Sequence, residues 1–189
     1  MPAIKTINHY TLSLNEVKDL KIHENFVHKI FTSFSDLDTS ILNKITNTFG
    51  NDKVTEIKFR FVARHKMVVT FIDDKFASYC FIGDVPFKFS FFELKEKELY
   101  FYDCFTFENF RGRNALYSEV KYAIDIYKER GYTYAHVEIE DTNLPSKKAF
   151  EKVGFQKKRT FYHFTLLGIG ITFSSGKCSF LKVKTGLSR

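Results

Sequence analysis

The chain has 189 residues, of which 44% are hydrophobic and 27% are charged, and this composition suits one domain with a sizeable buried core. With 29 Lys and Arg against 22 Asp and Glu, its formal charge of +7 should attract anionic partners. The basic residues are scattered, and no helix-turn-helix, RRM or zinc-finger spacing is present. A phosphorylated small molecule fits this charge as well as nucleic acid does, and we expect no nucleic-acid partner.

The three cysteines, Cys80, Cys104 and Cys178, are too few and too far apart in sequence for a disulfide framework or a CxxC metal site. The first residues lack the basic start and apolar run of a signal peptide, and no stretch has the length of a membrane span. We therefore expect a cytoplasmic protein without a bound metal and without membrane insertion.

The first third of the chain predicts one strand followed by helices. Residues 7–14 are rich in strand formers, and residues 21–33 place aromatic and aliphatic side chains on one helical face. Residues 37–49 have apolar positions four apart and end at Gly50, as is typical of an amphipathic helix closed by a left-handed glycine. Residues 52–65 also have helical spacing, although their β-branched and aromatic content leaves a strand open.

The rest of the chain predicts strands joined by turns and two further helices. Strands are predicted over residues 67–72, 76–82, 87–92, 98–106, 132–140 and 155–167, and helices over residues 114–130 and 145–153. Two strand-like runs within residues 168–189 predict a terminal hairpin. Because no internal repeat or Pro-rich linker divides the sequence, a single domain over residues 1–189 is expected.

A glycine-containing basic loop connects the strand over residues 98–106 to the next helix. Such a junction presents unpaired backbone N–H groups and the positive end of the helix dipole, an arrangement that can hold a pyrophosphate. Arg111 and Arg113 would add charge-assisted bonds to phosphate, and Gly112 permits close backbone approach. Taken alone, the segment can also be read as a loop with two surface arginines.

A second segment, about thirty residues further on, has the signals of a short capped helix. Asn143 or Thr142 can cap it, Pro145 suits its first turn, and Gly154 closes it. Together the two segments resemble the GNAT superfamily of acyl-CoA-dependent N-acyltransferases. The superfamily's loop pattern R/Q-x-x-G-x-G/A falls on Arg111, Asn114 and Leu116, and its later pattern N-x-x-S-x-x-x-Y/F-x-K-x-G-F falls on Asn143, Ser146, Phe150, Lys152, Gly154 and Phe155.

The resemblance covers residues 67–167 and implies an α/β fold. It implies a central mixed, mostly antiparallel sheet flanked by helices, in which the fourth and fifth strands are parallel and splay apart to hold acyl-CoA. Loop amides would take the pyrophosphate, and the acyl carbonyl would lie near Thr106. The cofactor-binding set that it implies is Thr106, Arg111, Gly112, Arg113, Asn114, Ala115, Leu116, Asn143, Ser146 and Phe150.

Two positions of the loop depart from the superfamily pattern, because Asn114 stands for its first glycine and Leu116 for its second Gly or Ala. A similarly bulky residue occurs in GNAT proteins of surface-polysaccharide gene clusters, whose strand and loop resemble residues 100–104 and 110–112. This likeness implies acetyl transfer from acetyl-CoA to a primary amine of an amino sugar, nucleotide-linked or free. Two alternatives stay open: a peptide or protein amine as acceptor, and a non-catalytic module that binds CoA.

Acyl transfer to an amine needs a proton acceptor for the amine and stabilisation of an oxyanion. Glu98, Asp103 and His136 are the candidates for the base, and their spacing does not decide among them. Many superfamily members use a tyrosine as general acid where this chain has Phe150, which has no proton to donate. The open choices for the acid are Tyr162, His163, Cys104, water, or departure of the thiolate without assistance. A homodimer is also left open.

Overall fold

A computed structural model describes residues 3–17, 25–88, 92–166, 169–174 and 181–185. The strands are β1 (Ala3–Ser13), β2 (Phe26–Phe31), β3 (Lys66–Ile72), β4 (Lys75–Gly83), β5 (Phe87–Lys88), β6 (Glu93–Leu94), β7 (Glu98–Thr106), β8 (Tyr134–Glu140), β9 (Gln156–Leu166), β10 (Ile169–Ser174) and β11 (Leu181–Thr185). The helices are α1 (Thr39–Phe49), α2 (Asn51–Val62), α3 (Ala115–Glu129) and α4 (Leu144–Val153).

Within these ranges, nine strands form one sheet in the order β11-β10-β9-β1-β8-β7-β4-β3-β2, and β5 and β6 form a separate hairpin. Every neighbouring pair in the large sheet is antiparallel except β7 and β8, which are parallel. This confirms the predicted mixed, mostly antiparallel sheet with one parallel pair. The N-terminal strand β1 lies inside the sheet, between β8 and β9, and the sequence pattern gave no indication of that position.

The two helix pairs cover opposite faces of the sheet. One hydrophobic cluster joins α3 and α4 to the sheet and includes Val68, whereas the other joins α1 and α2 to it and includes Met67 and Val69. Successive residues of a strand point to opposite faces, so these neighbours on β3 mark the two sides. The fold therefore has three layers, with the sheet between the two pairs of helices.

Most of the predicted elements are confirmed, including the helices over residues 37–49 and 52–65, and α2 removes the strand alternative for its segment. The helix predicted over residues 21–33 is wrong in its described part, because Phe26–Phe31 forms the edge strand β2 paired with β3. Side chains of β2 alternate between more exposed and more buried, which is the period of a strand. Pairing with a distant strand overrides the local helical spacing here. The terminal hairpin is present as the antiparallel pair β10 and β11.

A β-bulge in β7 bends this strand where its pairing with β8 stops. Between the pairs Tyr79–Phe105 and Phe81–Tyr102, β7 contains one residue more than β4, and Asp103 in this stretch has a left-handed φ of 47°. The parallel pairing of β7 and β8 ends at Phe101 and Val137, although both strands continue. The predicted splay between these strands is therefore present, and the bulge lies directly beside it.

The same region corrects the prediction about the cysteines. Cys80 of β4 and Cys104 of β7 lie on neighbouring strands, and their sulfur atoms are bonded as a disulfide. The 24 residues that separate them in sequence concealed this, because the pairing depends on the β4–β7 register. Cys178 lies outside the described residues.

Candidate active site

A cleft of about 600 Å³ opens where β7 and β8 diverge. It is formed by the end of β7, the loop to α3, the first turn of α3 and one side of α4. Its lining residues are Cys104, Phe105, Thr106, Phe110, Arg111, Gly112, Asn114, Ala115, Leu116, Tyr117, Asn143, Pro145, Ser146, Lys148, Ala149 and Lys152. All predicted cofactor-binding residues except Arg113 and Phe150 therefore come together at one cavity.

The loop before α3 leaves the first amides of the helix available to a ligand. The first backbone bond of α3 is donated by Ser118 to the carbonyl of Asn114 at 3.0 Å, so the amides of Ala115 and Leu116 precede the helical ladder. Asn114 has left-handed backbone angles, φ 63° and ψ 24°, and its side chain makes no capping bond. A row of donors at the positive end of a 15-residue helix is a physical basis for anion binding.

Three cationic side chains surround these amides. Arg111 lines the cleft and donates from Nε to the carbonyl of Thr106 at 3.3 Å, which ties it to the end of β7. Lys148 and Lys152 line the cleft from α4, and Lys152 Nζ donates to Asn114 Oδ1 at 3.1 Å. Neither lysine was in the predicted set, although Lys152 occupies the lysine position of the later sequence pattern. The electrostatics of the cleft thus favour a polyanion.

The two predicted residues that do not line the cleft have other contacts. The guanidinium of Arg113 lies 3.9 Å from Asp73 Oδ2 in the turn between β3 and β4. Phe150 is 1% exposed and packs its ring against Phe101 and Phe155 in the core. Phe150 therefore packs in the core beneath α4 and does not line the cleft.

The predicted base candidates fall into two groups. Asp103 is held by two cations, since Lys53 Nζ lies 2.8 Å from its Oδ2 and Arg60 contacts the same oxygen. Glu98 and His136 are together, with His136 Nε2 at 3.3 Å from Glu98 Oε2. Burial lowers the pKa of His136 below its ordinary value of 6.5, the Glu98 carboxylate opposes this shift, and neighbouring His9 adds to it.

Two further titratable residues, His9 and Glu138, lie in the same group and were not among the residues predicted from the sequence. His9 Nε2 lies 3.4 Å from His136 Nδ1, and His9 Nδ1 lies 3.8 Å from Glu138 Oε1. These side chains lie on the sheet face opposite α3 and α4, because their neighbours Leu99, Val137 and Tyr10 point into the α3–α4 cluster. The only sequence signal was the alternation of polar and apolar residues along β8.

The candidates for the general acid are also changed by the structure. Cys104 is bonded to Cys80, and Tyr162 on β9 is 44% exposed. Tyr100 and Tyr102 lie beside the splay with their rings stacked, 5.7 Å between centroids. Burial raises the pKa of the Tyr100 hydroxyl, as does its hydrogen bond with Glu138. Burial also raises the pKa of Tyr102, whose hydroxyl contacts His65 Nδ1.

A strand, a basic loop and a free helix N-terminus beside a splayed parallel pair define a protein class that binds an extended, phosphorylated ligand. Comparison with known families gives the class a name. The sequence model of the acetyltransferase (GNAT) family matches residues 34–155, and the chain belongs to this family. Its β1 strand lies outside the matched residues.

Solved structures share the fold at low sequence identity. A GNAT-family acetyltransferase from Colwellia psychrerythraea has a TM-score of 0.61 at 11% identity, and the match covers 86% of this chain and 55% of that protein. A GCN5-related N-acetyltransferase from Kribbella flavida has a TM-score of 0.59 at 11% identity, with coverage of 86% and 59%. A GCN5-related glucosamine N-acetyltransferase region of a fungal multi-domain β-N-acetylglucosaminidase has a TM-score of 0.64 at 13% identity, with coverage of 89% and 21%.

This chain is thus shorter than each of these neighbours, spanning 55% and 59% of the two bacterial acetyltransferases. No curated protein matches the sequence significantly. Across the described ranges, no helix is long and apolar enough to cross a membrane. Among the same residues, no group of three or more His, Cys, Asp or Glu side chains is arranged to hold a metal ion.

Proposed function

We propose that the protein is an acetyl-CoA-dependent N-acetyltransferase whose acceptor is a primary amine of an amino sugar, free or nucleotide-linked, in surface-polysaccharide synthesis. The observation that carries the proposal is the cleft, in which free amides of α3 and three cations lead directly to the splay between β7 and β8. The family supports acetyl transfer, and the acceptor is our inference.

The residues of the cleft fit CoA in two places. The amides of Ala115 and Leu116, with Arg111 and Lys152, would hold the pyrophosphate. The end of β7 pairs with β4 on one side, up to Ser78 and Thr106, but no longer with β8 on the other. Its backbone groups on the β8 side are therefore free to pair with the amides of the pantetheine arm. When bound, acetyl-CoA supplies the activated acyl group.

The base of the reaction is assigned to the group around His136 rather than to Asp103. Asp103 and Glu56 together compensate Lys53 and Arg60, so taking up a proton on Asp103 would leave two cations with one carboxylate. Burial favours the neutral form of His136, and Glu98 Oε2 lies 3.3 Å from its Nε2. Tyr100 and Tyr102 stand beside the splay and would take the place of the hydroxyl that Phe150 lacks.

The amino-sugar acceptor is supported by two observations of different weight. The net charge of +7 suits a second phosphate-bearing ligand beside CoA. One solved structure with a similar fold contains a region named as a glucosamine N-acetyltransferase. At 13% identity, this similarity shows a shared fold. A peptide or protein amine is the alternative acceptor. A non-catalytic CoA-binding module is the other alternative, favoured by the replacement of the usual tyrosine with Phe150.

The test begins with thermal-shift titrations of acetyl-CoA, CoA and dephospho-CoA, because a ligand that binds only the folded state raises the melting point. Arg111→Ala should weaken binding about tenfold by removing one charge-assisted contact, whereas Arg113→Ala is the matched control and should not. Glucosamine, nucleotide-linked amino sugars and a lysine peptide are then offered with acetyl-CoA. Turnover of the peptide alone would replace the amino-sugar acceptor, binding without turnover would support the module, and no binding would refute both.

A further inference from the structure

Four titratable side chains from three strands stand in a row on the sheet face opposite the cleft. The order is Glu98, His136, His9, Glu138, with successive separations of 3.3, 3.4 and 3.8 Å between facing atoms. Their side chains are 7–15% exposed, and Phe92 stacks on the imidazole of His136 and packs in a tilted arrangement against that of His9. In each imidazole, the two ring nitrogens face two different neighbouring side chains. The four groups therefore form a line and do not converge on one point.

The proton positions along the line follow from the charge on Glu98, whose Oε2 lies 3.3 Å from His136 Nε2. An ionised Glu98 favours a proton on that nitrogen, which leaves His136 Nδ1 as an acceptor. His9 Nε2 must then donate to it, which leaves His9 Nδ1 as an acceptor facing Glu138 Oε1. Two acceptors that face each other lack a proton between them. Both atoms are buried without a hydrogen-bond partner, and His136 Nε2, which meets Glu98 at ion-pair distance, is also buried without one.

The end of the line that lacks a proton lies at the splay. Glu138 follows Val137, the last residue of β8 that pairs with β7, and it also makes a hydrogen bond with Tyr100. The opposite end, Glu98, lies at the start of β7, where its Oε2 accepts from the amide of Lys95 at 3.0 Å. A proton accepted beside the splay can therefore be passed along the sheet, away from the place where the acyl group would lie.

We propose that Glu138 and His9 form the proton-accepting pair of the transferase, and that His136 and Glu98 carry the proton onward. This inference rests on the proposed function. The amine nitrogen attacks the thioester carbonyl carbon, the N–C bond forms, and the C–S bond breaks with its electron pair on sulfur. The amine proton goes to Glu138 and through His9 Nδ1 into the line, and the thiolate takes a proton from Tyr100 or water. His9 comes from β1, outside the residues that define the family match.

A base that already carries a proton cannot accept one from the amine. If Glu138 and His9 are the proton-accepting pair, activity should therefore fall at low pH. The titratable and charged groups that face His9 are Glu138 and His136 on β8, Glu98 and Tyr100 on β7, and Arg159 opposite it in the register of β9. The acid limb of the pH–rate profile therefore belongs to the cluster as a whole.

The kinetic test uses Glu138→Gln and His9→Gln, with Glu140→Gln as the matched control. Glutamine at position 9 can still contact His136 but cannot accept a second proton. With acetyl-CoA and the best amine found, both variants should lose about 100-fold or more in kcat. Acetyl-CoA binding should be unchanged, and the acid limb should be lost. Glu140 points to the surface, where it pairs with Lys5, so its variant should keep wild-type activity and pH dependence. Wild-type kcat in Glu138→Gln overturns the proposal.

A second measurement needs no acceptor and separates this inference from the proposed function. The imidazole carbon-bound protons of His136 are followed by NMR against pH in wild type, Glu138→Gln and Glu140→Gln. A changed His136 titration in Glu138→Gln alone supports the line, since the two side chains communicate through His9. An unchanged titration overturns it. If the coupling is seen but no amine is acetylated, the acceptor proposal fails while the proton-accepting pair stands.

Discussion

Replacing Glu119 by glutamine should remove a pH-dependent loss of stability that a buried carboxyl imposes on the fold. Glu119 is 0% exposed, its Oε2 accepts from Ser78 Oγ at 3.2 Å, and its Oε1 has no hydrogen-bond partner. Burial raises the pKa of this carboxyl well above its ordinary value of 4.5, and hydrogen bonds from Ser78 and Thr70 offset only part of the shift. The folded protein therefore keeps a proton that the unfolded chain releases.

The sign and size of the effect follow from this difference in protons. Below pH 4.5 both states are protonated, and the full stability is present. Above it, the free energy of unfolding falls by about 1.4 kcal/mol per pH unit until the folded carboxyl ionises. Glutamine has the same shape and does not ionise. The difference in the free energy of unfolding between Glu119→Gln and the wild type should therefore grow by about 1.4 kcal/mol for each pH unit, in favour of the variant. Equilibrium urea unfolding from pH 5 to pH 8 measures the difference.

A control and a refuting result are available on the same helix. Glu129, at the exposed end of α3, undergoes the same chemical change in Glu129→Gln and should leave the pH slope of the wild type unaltered. A constant offset between Glu119→Gln and the wild type, independent of pH, would mean that the carboxyl is ionised in the folded state. Such a result would refute the raised pKa of Glu119.

Three further predictions concern other sites. Burial lowers the pKa of His28 to about 4 from 6.5, so its contribution to stability is present above pH 6.5 and lost as the pH falls towards 4; His28→Gln should flatten that acid limb in the same urea series. Asp103→Asn should cost about 1–2 kcal/mol by leaving Lys53 and Arg60 with Glu56 as their one carboxylate partner, visible as a lower Tm, with the pH dependence of kcat unchanged. Asn114→Gly should retain the fold, whereas Asn114→Val should lower both the Tm and the affinity for acetyl-CoA, because a β-branched residue resists a φ of 63°.

The parts of the fold that the sequence predicted are those with local causes. Gly50 and Gly154 have positive φ and end α1 and α4 where the pattern placed the ends. Asn143 caps α4 by accepting from the amide of Ser146 at 3.2 Å, as its position suggested. The cleft could be anticipated for the same reason, since its loop and helix starts are contiguous in the chain.

The parts that were missed depend on pairing between distant segments. β2 was predicted as a helix because its partner β3 is invisible to local periodicity. His9 and Glu138 are adjacent only because β1 enters the sheet beside β8, and the Cys80–Cys104 bond requires the register of β4 and β7. Whether Arg111 or Arg113 faced the cleft could not be decided from spacing, since loop residues have no fixed period.

The two departures of the loop from its family pattern leave its backbone able to bind a phosphate. Asn114 adopts the left-handed conformation that glycine would have taken, at φ 63°, and Asn is among the few other residues that do so readily. Leu116 lines the cleft and also packs against the α3–α4 hydrophobic cluster, so its bulk is partly absorbed by the core. The amide side chain of Asn114 holds Lys152 from the opposite wall, a contact that glycine could not make. The substitution therefore places a cation beside the free amides of α3, which offsets electrostatically what the loop loses in backbone freedom.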